Sequence, residues 1–415
     1  MQSLEPKSHA AARKPERRYP VGAELVGGKA SFRVWAPERR SVSLVLERET
    51  IALEREEGGY FSCVVDGLGA GAEYRYRLDD DIRLEADPAS RWQPTGPGGP
   101  SALVDPTAFA WTDGSWGGIS REGQVLYEMH VGTFTEEGTW AAARQRLARL
   151  KEVGVTTIEM MPVNEFFGSF GWGYDGVLLY APTHLYGTPD DLRAFVNEAH
   201  GLGIGVIVDV VYNHFGPGDR FETFSPSYFT DRYKNEWGRS LNFDGPACEG
   251  ARAYVASNAA YWIDEFHFDG LRIDATQALF DASDRHIVSE IAEACRRASG
   301  DRTIYLLAEN EPQHAALVRP ASTGGLGLDA AWNDDFHHSA MVAATGRNEA
   351  YYHDHRGAPQ EFVSAAKYGY LFQGQRYDWQ NKARGTPGLD LVPANFVHFL
   401  QNHDQIANSA SGLRI

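Results

Sequence analysis

Sulfur is scarce in this chain. Three cysteines, Cys63, Cys248 and Cys295, are scattered over 415 residues with no CxxC pair. An odd, sparse set of this kind encodes neither a disulfide framework nor a zinc ribbon, and a reducing, cytoplasmic compartment is expected. Long apolar runs are also missing. No stretch approaches 18 apolar residues without charges, so no membrane span is expected. The N-terminal stretch MQSLEPKSHAAARKPERRYP carries bases but no apolar h-region, so no secretion signal is read there. Bases are outnumbered, 39 Lys and Arg against 56 Asp and Glu, giving a formal charge of −17. That sign repels phosphate backbones and argues against nucleic acid as a main partner.

Turns and flat rings are abundant instead. The chain has 43 Gly, 20 Pro, 10 Trp, 19 Tyr and 21 Phe, and 43% of its residues are hydrophobic. This supports a large core and a loop-built site suited to neutral, ring-shaped ligands.

The length suggests more than one domain. Residues 1–20 are polar, carry Pro6, Pro15 and Pro20, and read as a disordered arm. Residues 21–105 alternate in short runs (ASFRVWAP, SVSLVL, YFSCVV, EYRYRL) between Gly-rich turns. A small immunoglobulin-like β-sandwich fits this pattern. Residues 106–124 read as a linker. From residue 125 to 415, short apolar runs alternate with helical stretches. Trp140, Ala143, Leu147, Leu150 and Val153 share one helical face. Thr188-Pro189-Asp190-Asp191 is a helix start with a capping hydroxyl and acids at the positive end of the dipole. Repeated β-α alternation requires a parallel sheet, as a (β/α)8 barrel or a doubly wound open sheet. No Gly-rich phosphate turn follows the first strand, which disfavours nucleotide binding.

Polar residues gather where apolar strands stop. GVIVDVVYNH supplies Asp209, Asn213 and His214, GLRIDA supplies Arg272 and Asp274, LLAEN supplies Glu309, and QNHD supplies His403 and Asp404. A parallel barrel places such strand ends around one mouth. One Asp at a strand end is more often a cap or an ion pair than a catalyst. Several together suit glycoside hydrolysis, which needs one neutral carboxyl to protonate the leaving oxygen and one ionised carboxylate facing the sugar. Arg272 shares a strand face with Asp274 and would hold it ionised. Glu309, after an apolar run, is expected to be the protonated partner. Trp172 and Tyr174 in SFGWGYDG lie on a Gly-rich loop able to present rings to a sugar, although Trp172 could equally be packed in the core. Phe229 and Trp237 could line the cleft, but packing of the long third loop is the favoured expectation.

The segments DVVYNH, GLRIDA, LLAEN and QNHD, in this order, resemble the signature of the α-amylase clan, glycoside hydrolase family 13. The stretches YEMHVGTFT, GWGYDGV, SYFTDR, FHFDGLRIDAT, NDDFHH and QNHDQIAN extend the resemblance over residues 21–408. They point to members that release trehalose from maltooligosyl trehalose. The resemblance implies a TIM barrel behind a carbohydrate-binding-like sandwich, and a retaining hydrolase. Asp274 would be the nucleophile, Glu309 the acid/base and Asp404 the stabiliser of the transition state. Arg272 would orient Asp274, and His214 and His403 would bond the sugar. Tyr174 would stack on that sugar with Asp175 nearby, while Asp209 and Asn213 would fix the loop around His214. The family pattern continues with an eighth strand and a C-terminal β-domain, so a sequence ending at Ile415 implies a barrel without its last β/α unit. A glucan branching enzyme is the alternative within the clan. A non-catalytic α-glucan-binding protein is the alternative outside it. No cofactor is expected. His337, His338, His353 and His355 fit no strong zinc spacing, so no metal is expected either. The sequence carries no sign of oligomeric state.

Overall fold

The computed structural model describes residues 16–408. Residues 1–15 of the expected arm lie outside the described residues. Just after them, Arg17 donates to the Ser31 and Gly22 carbonyls at 2.7 Å each, and Tyr19 is buried.

Residues 22–102 form two four-stranded antiparallel sheets. One runs Gly22–Val26, Lys29–Trp35, Tyr60–Asp66, Glu54–Arg55. The other runs Thr50–Ala52, Val42–Val45, Glu73–Leu78, Ser101–Ala102. Phe32, Val34, Val42, Leu44, Phe61, Tyr74 and Tyr76 fill the space between them. Alternation puts Trp35 on the outer face of its strand, yet Trp35 is buried. That outer face is covered by the helix Glu249–Glu265. A Cβ on Gly250 would come within 2.1 Å of the Trp35 ring, so glycine allows the helix to lie against the sandwich. Arg91 reinforces the junction with a buried 2.7 Å bond to Glu265.

The second unit is a sheet of seven parallel strands: β1 (Leu126–Met129), β2 (Thr157–Met160), β3 (Gly205–Val210), β4 (Gly270–Ile273), β5 (Tyr305–Ala308), β6 (Ala330–Trp332) and β7 (Phe396–Val397). They pair in strict chain order. Without the order reversal of a doubly wound sheet, this is the barrel form. The helix Pro189–Gly201 starts with the anticipated capping box between Thr188 and Asp191. The segment read as one helix over 140–153 is two, Trp140–Arg144 and Leu147–Glu152, although Trp140, Ala143, Leu147 and Leu150 are all buried. Val153, at the end of the stripe, is 61% exposed. No helix among the described residues is long and apolar enough to cross a membrane.

The stretch 106–124 is more than a tether. Trp111 stacks on His267 at 3.7 Å, and Trp116 stacks on His200 and donates to Asp269 at 2.7 Å. Asp113 accepts from His200 (2.9 Å) and His267 (2.8 Å), and His200 also reaches Asp269 at 2.9 Å. Burial opposes charge on His200, but bonds to two carboxylates outweigh it and raise its pKa. The same histidines hold Asp113 down at about 2 against the pull of burial. This network anchors the segment beneath the N-terminal ends of β3 and β4, away from the strand ends that carry the acids.

Removing Asp113 breaks a buried ion pair. Asp113→Ala should therefore cost about 3 kcal/mol in urea unfolding. With a raised folded pKa, the His200 contribution is present at low pH and lost as pH rises through that value. The wild-type advantage should thus be larger at pH 6 than at pH 9, and equal stability of the two proteins would contradict it.

Candidate active site

The C-terminal ends of β3, β4 and β5 converge because their registers pair Asp209 with Arg272 and Arg272 with Leu307. Arg272 is 1% exposed. Its Nη1 donates to Asp209 Oδ2 at 2.7 Å and to Asp274 Oδ1 at 2.6 Å, and its Nη2 lies 3.1 Å from Glu309 Oε2. One guanidinium thus holds the three acids from three strands. Burial opposes its charge, but attraction to those acids outweighs the desolvation and secures it.

The turn after β4 sets the position of Glu309. Ala275 adopts φ 41°, an unusual left-handed conformation for a residue with a side chain. There its N–H donates to Glu309 Oε2 at 2.7 Å. Thr276 locks the same corner by donating its hydroxyl to the Glu309 carbonyl at 2.6 Å.

The two acids shift in opposite directions. Burial, then the Glu309 charge, push the Asp274 carboxyl well above its ordinary range despite Arg272. Burial pushes Glu309 up as well, but Arg272 and the Ala275 N–H outweigh it, and Glu309 falls below its ordinary value. The sequence shows the apolar run before Glu309 but not the two donors aimed at it.

His403 links the remaining residues. Its backbone N–H donates to Glu128 Oε2 at 2.8 Å, and its Nδ1 donates to Glu128 Oε1 at 2.7 Å. Burial opposes its charge, but Glu128 and Asp404 raise its pKa. Asp404 Oδ1 lies 3.5 Å from His403 Nε2. Burial, opposed by His403 and aided by the Glu309 charge, raises Asp404. Asp404 keeps 42% of its side chain exposed, as a group facing a ligand would.

The Tyr174 ring stacks on His403 at 4.9 Å, and its hydroxyl donates to Asp209 at 2.7 Å. Trp172 meets the same imidazole edge-on at 5.8 Å and is only partly buried. Asp175 is exposed. Its carbonyl sits where a Cβ on Gly216 would come within 1.9 Å, so the loop holding His214 packs on it only with glycine there. His214 is buried, and burial lowers its pKa and keeps it neutral. It donates to Asn213 Oδ1 at 3.1 Å, while Asn235 holds the Asn213 carbonyl. Phe229 packs on Phe215 as expected. Trp237 does not pack inward: it is 50% exposed and lies parallel to His214 at 6.4 Å.

Two acids escaped the sequence reading. Glu128 on β1 orients His403. Glu159 on β2, in register with Glu128, is 1% exposed with no partner for either carboxylate oxygen. Burial, then the charge of Glu128, push its carboxyl well above the ordinary range. A glutamate inside VLYEM or TTIEMM reads as an outward-facing position. Only their equivalent register positions hinted at a shared inner face.

Comparison with known proteins agrees with this geometry. Residues 104–240 match the α-amylase catalytic domain, and residues 20–90 match carbohydrate-binding module 48, the isoamylase N-terminal domain. The chain is 40% identical to a malto-oligosyltrehalose trehalohydrolase of Saccharolobus solfataricus, over 95% of this chain and 69% of that protein. It is 41% identical to one of Deinococcus radiodurans, over 99% of this chain and 67% of that protein. The crystal structure of a putative α-amylase from Salmonella typhimurium superposes with TM-score 0.89 at 41% identity, covering 95% of this chain and 68% of that one.

Replacing Arg272 by Met would strand buried carboxylates without their cation. Arg272→Met should cost about 3–5 kcal/mol near neutral pH. The stranded acids would have folded pKa values above their unfolded ones. The variant should therefore lose stability as pH rises, and its deficit should be smaller at pH 5 than at pH 8 in denaturant titrations. A deficit independent of pH would refute the clamp.

Proposed function

The chain belongs to the malto-oligosyltrehalose trehalohydrolases of the α-amylase family, and on that premise we propose how its residues release trehalose from maltooligosyl trehalose or a related α-glucan. The observation that carries the reading is the single Arg272 clamp on Asp209, Asp274 and Glu309. It holds two carboxyl groups side by side, and a retaining glycosidase needs such a pair.

Asp274 is the nucleophile and Glu309 the acid/base. Reaction runs through the form in which Asp274 is ionised beside Arg272 and Glu309 carries the proton. Glu309 protonates the leaving trehalose oxygen while Asp274 attacks. Water, deprotonated by Glu309, then opens the glycosyl-enzyme.

Asp404 and the charged His403 bind sugar hydroxyls, and Asp404 stabilises the cationic transition state. His214 bonds the same sugar. Tyr174 stacks on it with Trp172 and Asp175 at the rim, and Arg272 keeps Asp274 oriented. The sandwich, over residues 21–105, supports the barrel that begins at residue 125 through the 106–124 segment. The negative charge and the sparse cysteines support a cytoplasmic enzyme that acts on neutral glucans without nucleic acid or membrane partners.

The test is chromatography of the products formed from maltooligosyl trehalose, with maltopentaose as control. Trehalose and a shortened malto-oligosaccharide are expected. New α-1,6 branches would instead indicate a branching enzyme, and binding without turnover a glucan-binding protein. Glu309→Gln should lower turnover about 10²–10⁴-fold. It should still form the glycosyl-enzyme quickly from α-maltosyl fluoride, whose leaving group needs no proton, giving a burst of fluoride before slow hydrolysis that lacks its base. Loss of that burst would remove Glu309 from the acid role.

A further inference from the structure

The connection between β6 and β7 contains a second cluster of polar groups, separate from the carboxylate site. Asp335 and His338 lie one turn apart on the helix Asp334–Thr345, and His355 approaches from the turn that follows. We propose that these three residues bind one divalent transition-metal ion of the zinc type, which staples this connection to the barrel.

All three are buried, and one candidate ligand atom from each lies within 4.8 Å of the others. His338 Nδ1 and His355 Nε2 are buried with no hydrogen-bond partner. Leaving such nitrogens unsatisfied costs about 1–3 kcal/mol each, a penalty that a shared metal would remove. The rings cross at 84° with centroids 5.0 Å apart. Burial keeps both neutral, as metal-binding imidazoles must be.

The neighbours fix the ligands as outer-shell groups of metal sites do. Ser339 Oγ pairs with His355 Nδ1 at 3.2 Å, leaving the other ring nitrogen turned to the cluster. Asp335 Oδ2 accepts from the Phe372 N–H at 2.9 Å, and its Oδ1 accepts from Arg384 Nε at 3.0 Å. Arg384 does not neutralise the region. Its guanidinium also faces Glu311 at 2.6 Å and Asp334 at 3.9 Å, so three carboxylates confront one cation. A divalent ion would balance the excess. Two imidazoles and one carboxylate favour zinc or cobalt over magnesium or calcium, which prefer all-oxygen sets. The spacing concealed this group because the third ligand arrives through tertiary packing.

The experiment titrates chelator-treated full-length protein with Co²⁺ and records visible absorption. Wild type should bind one Co²⁺ per chain with the bands of a low-coordinate site. Zn²⁺ should bleach them and raise the melting temperature. His338→Asn and His355→Asn should lose the bands and the thermal shift, while His353→Asn, altering an exposed neighbour, should behave as wild type. Absence of a stoichiometric band in wild type, or equal bands in all variants, would overturn the proposal. If the two histidine variants fail to fold, anomalous scattering from Zn²⁺-soaked wild-type crystals decides. A peak among Asp335, His338 and His355 supports the site, and a peak elsewhere or none refutes it.

Discussion

A guanidinium buried at the end of β4 holds the catalytic arrangement together. Arg272 touches Asp209 from β3, Asp274 from its own strand and Glu309 from β5. Carboxylates so close would repel one another and drift apart, or all take up protons, without that charge. With it, they stay near one another and differ in proton affinity. Tyr174 and His403 extend the arrangement to the loop after β2 and the segment after β7, because Tyr174 bonds Asp209 and stacks on His403. The barrel matters here chiefly as the frame that brings those strand ends within reach of one arginine.

The frame is stiffened where no substrate goes. Trp35 of the sandwich rests on Gly250 of a barrel helix. Asp113, His200, His267 and Asp269 bind the connecting segment under β3 and β4. The first contact packs the sandwich on the barrel, and the second ties the connecting segment to it. The Asp335–His338–His355 cluster would serve similarly for the long connection before β7, whose far end delivers His403 and Asp404.

Much of this was legible in the sequence for a simple reason. Strand ends at a barrel mouth appear as polar residues that abruptly follow apolar runs, so Asp209, Arg272, Asp274 and Glu309 stood out. β-α alternation announced a parallel sheet but left its strand order open between a barrel and a doubly wound form. Inner-face acids within strands did not stand out: Glu128 and Glu159 look like exposed positions until the register is known. The N–H of Ala275 aimed at Glu309 could not be read either, because it depends on a left-handed turn that no local pattern announces. Trp35 defied alternation because a second domain covers the outer face of its strand. The helix Asp334–Thr345 was overlooked because its buried residues include Asp335, His337 and His338 rather than an apolar stripe. In each case the missing information was tertiary.

The central claim is that the clamp prepares Asp274, and no other acid, to attack sugar. Trapping tests it most directly. Incubation with a 5-fluoro-α-maltosyl fluoride slows breakdown of the glycosyl-enzyme, and peptide mapping by mass spectrometry then finds the ester. The account predicts the label on the GLRIDA peptide at Asp274. A label on Glu309 or Asp404, or steady turnover with no covalent adduct under conditions that trap a known retaining α-glucosidase, would contradict it.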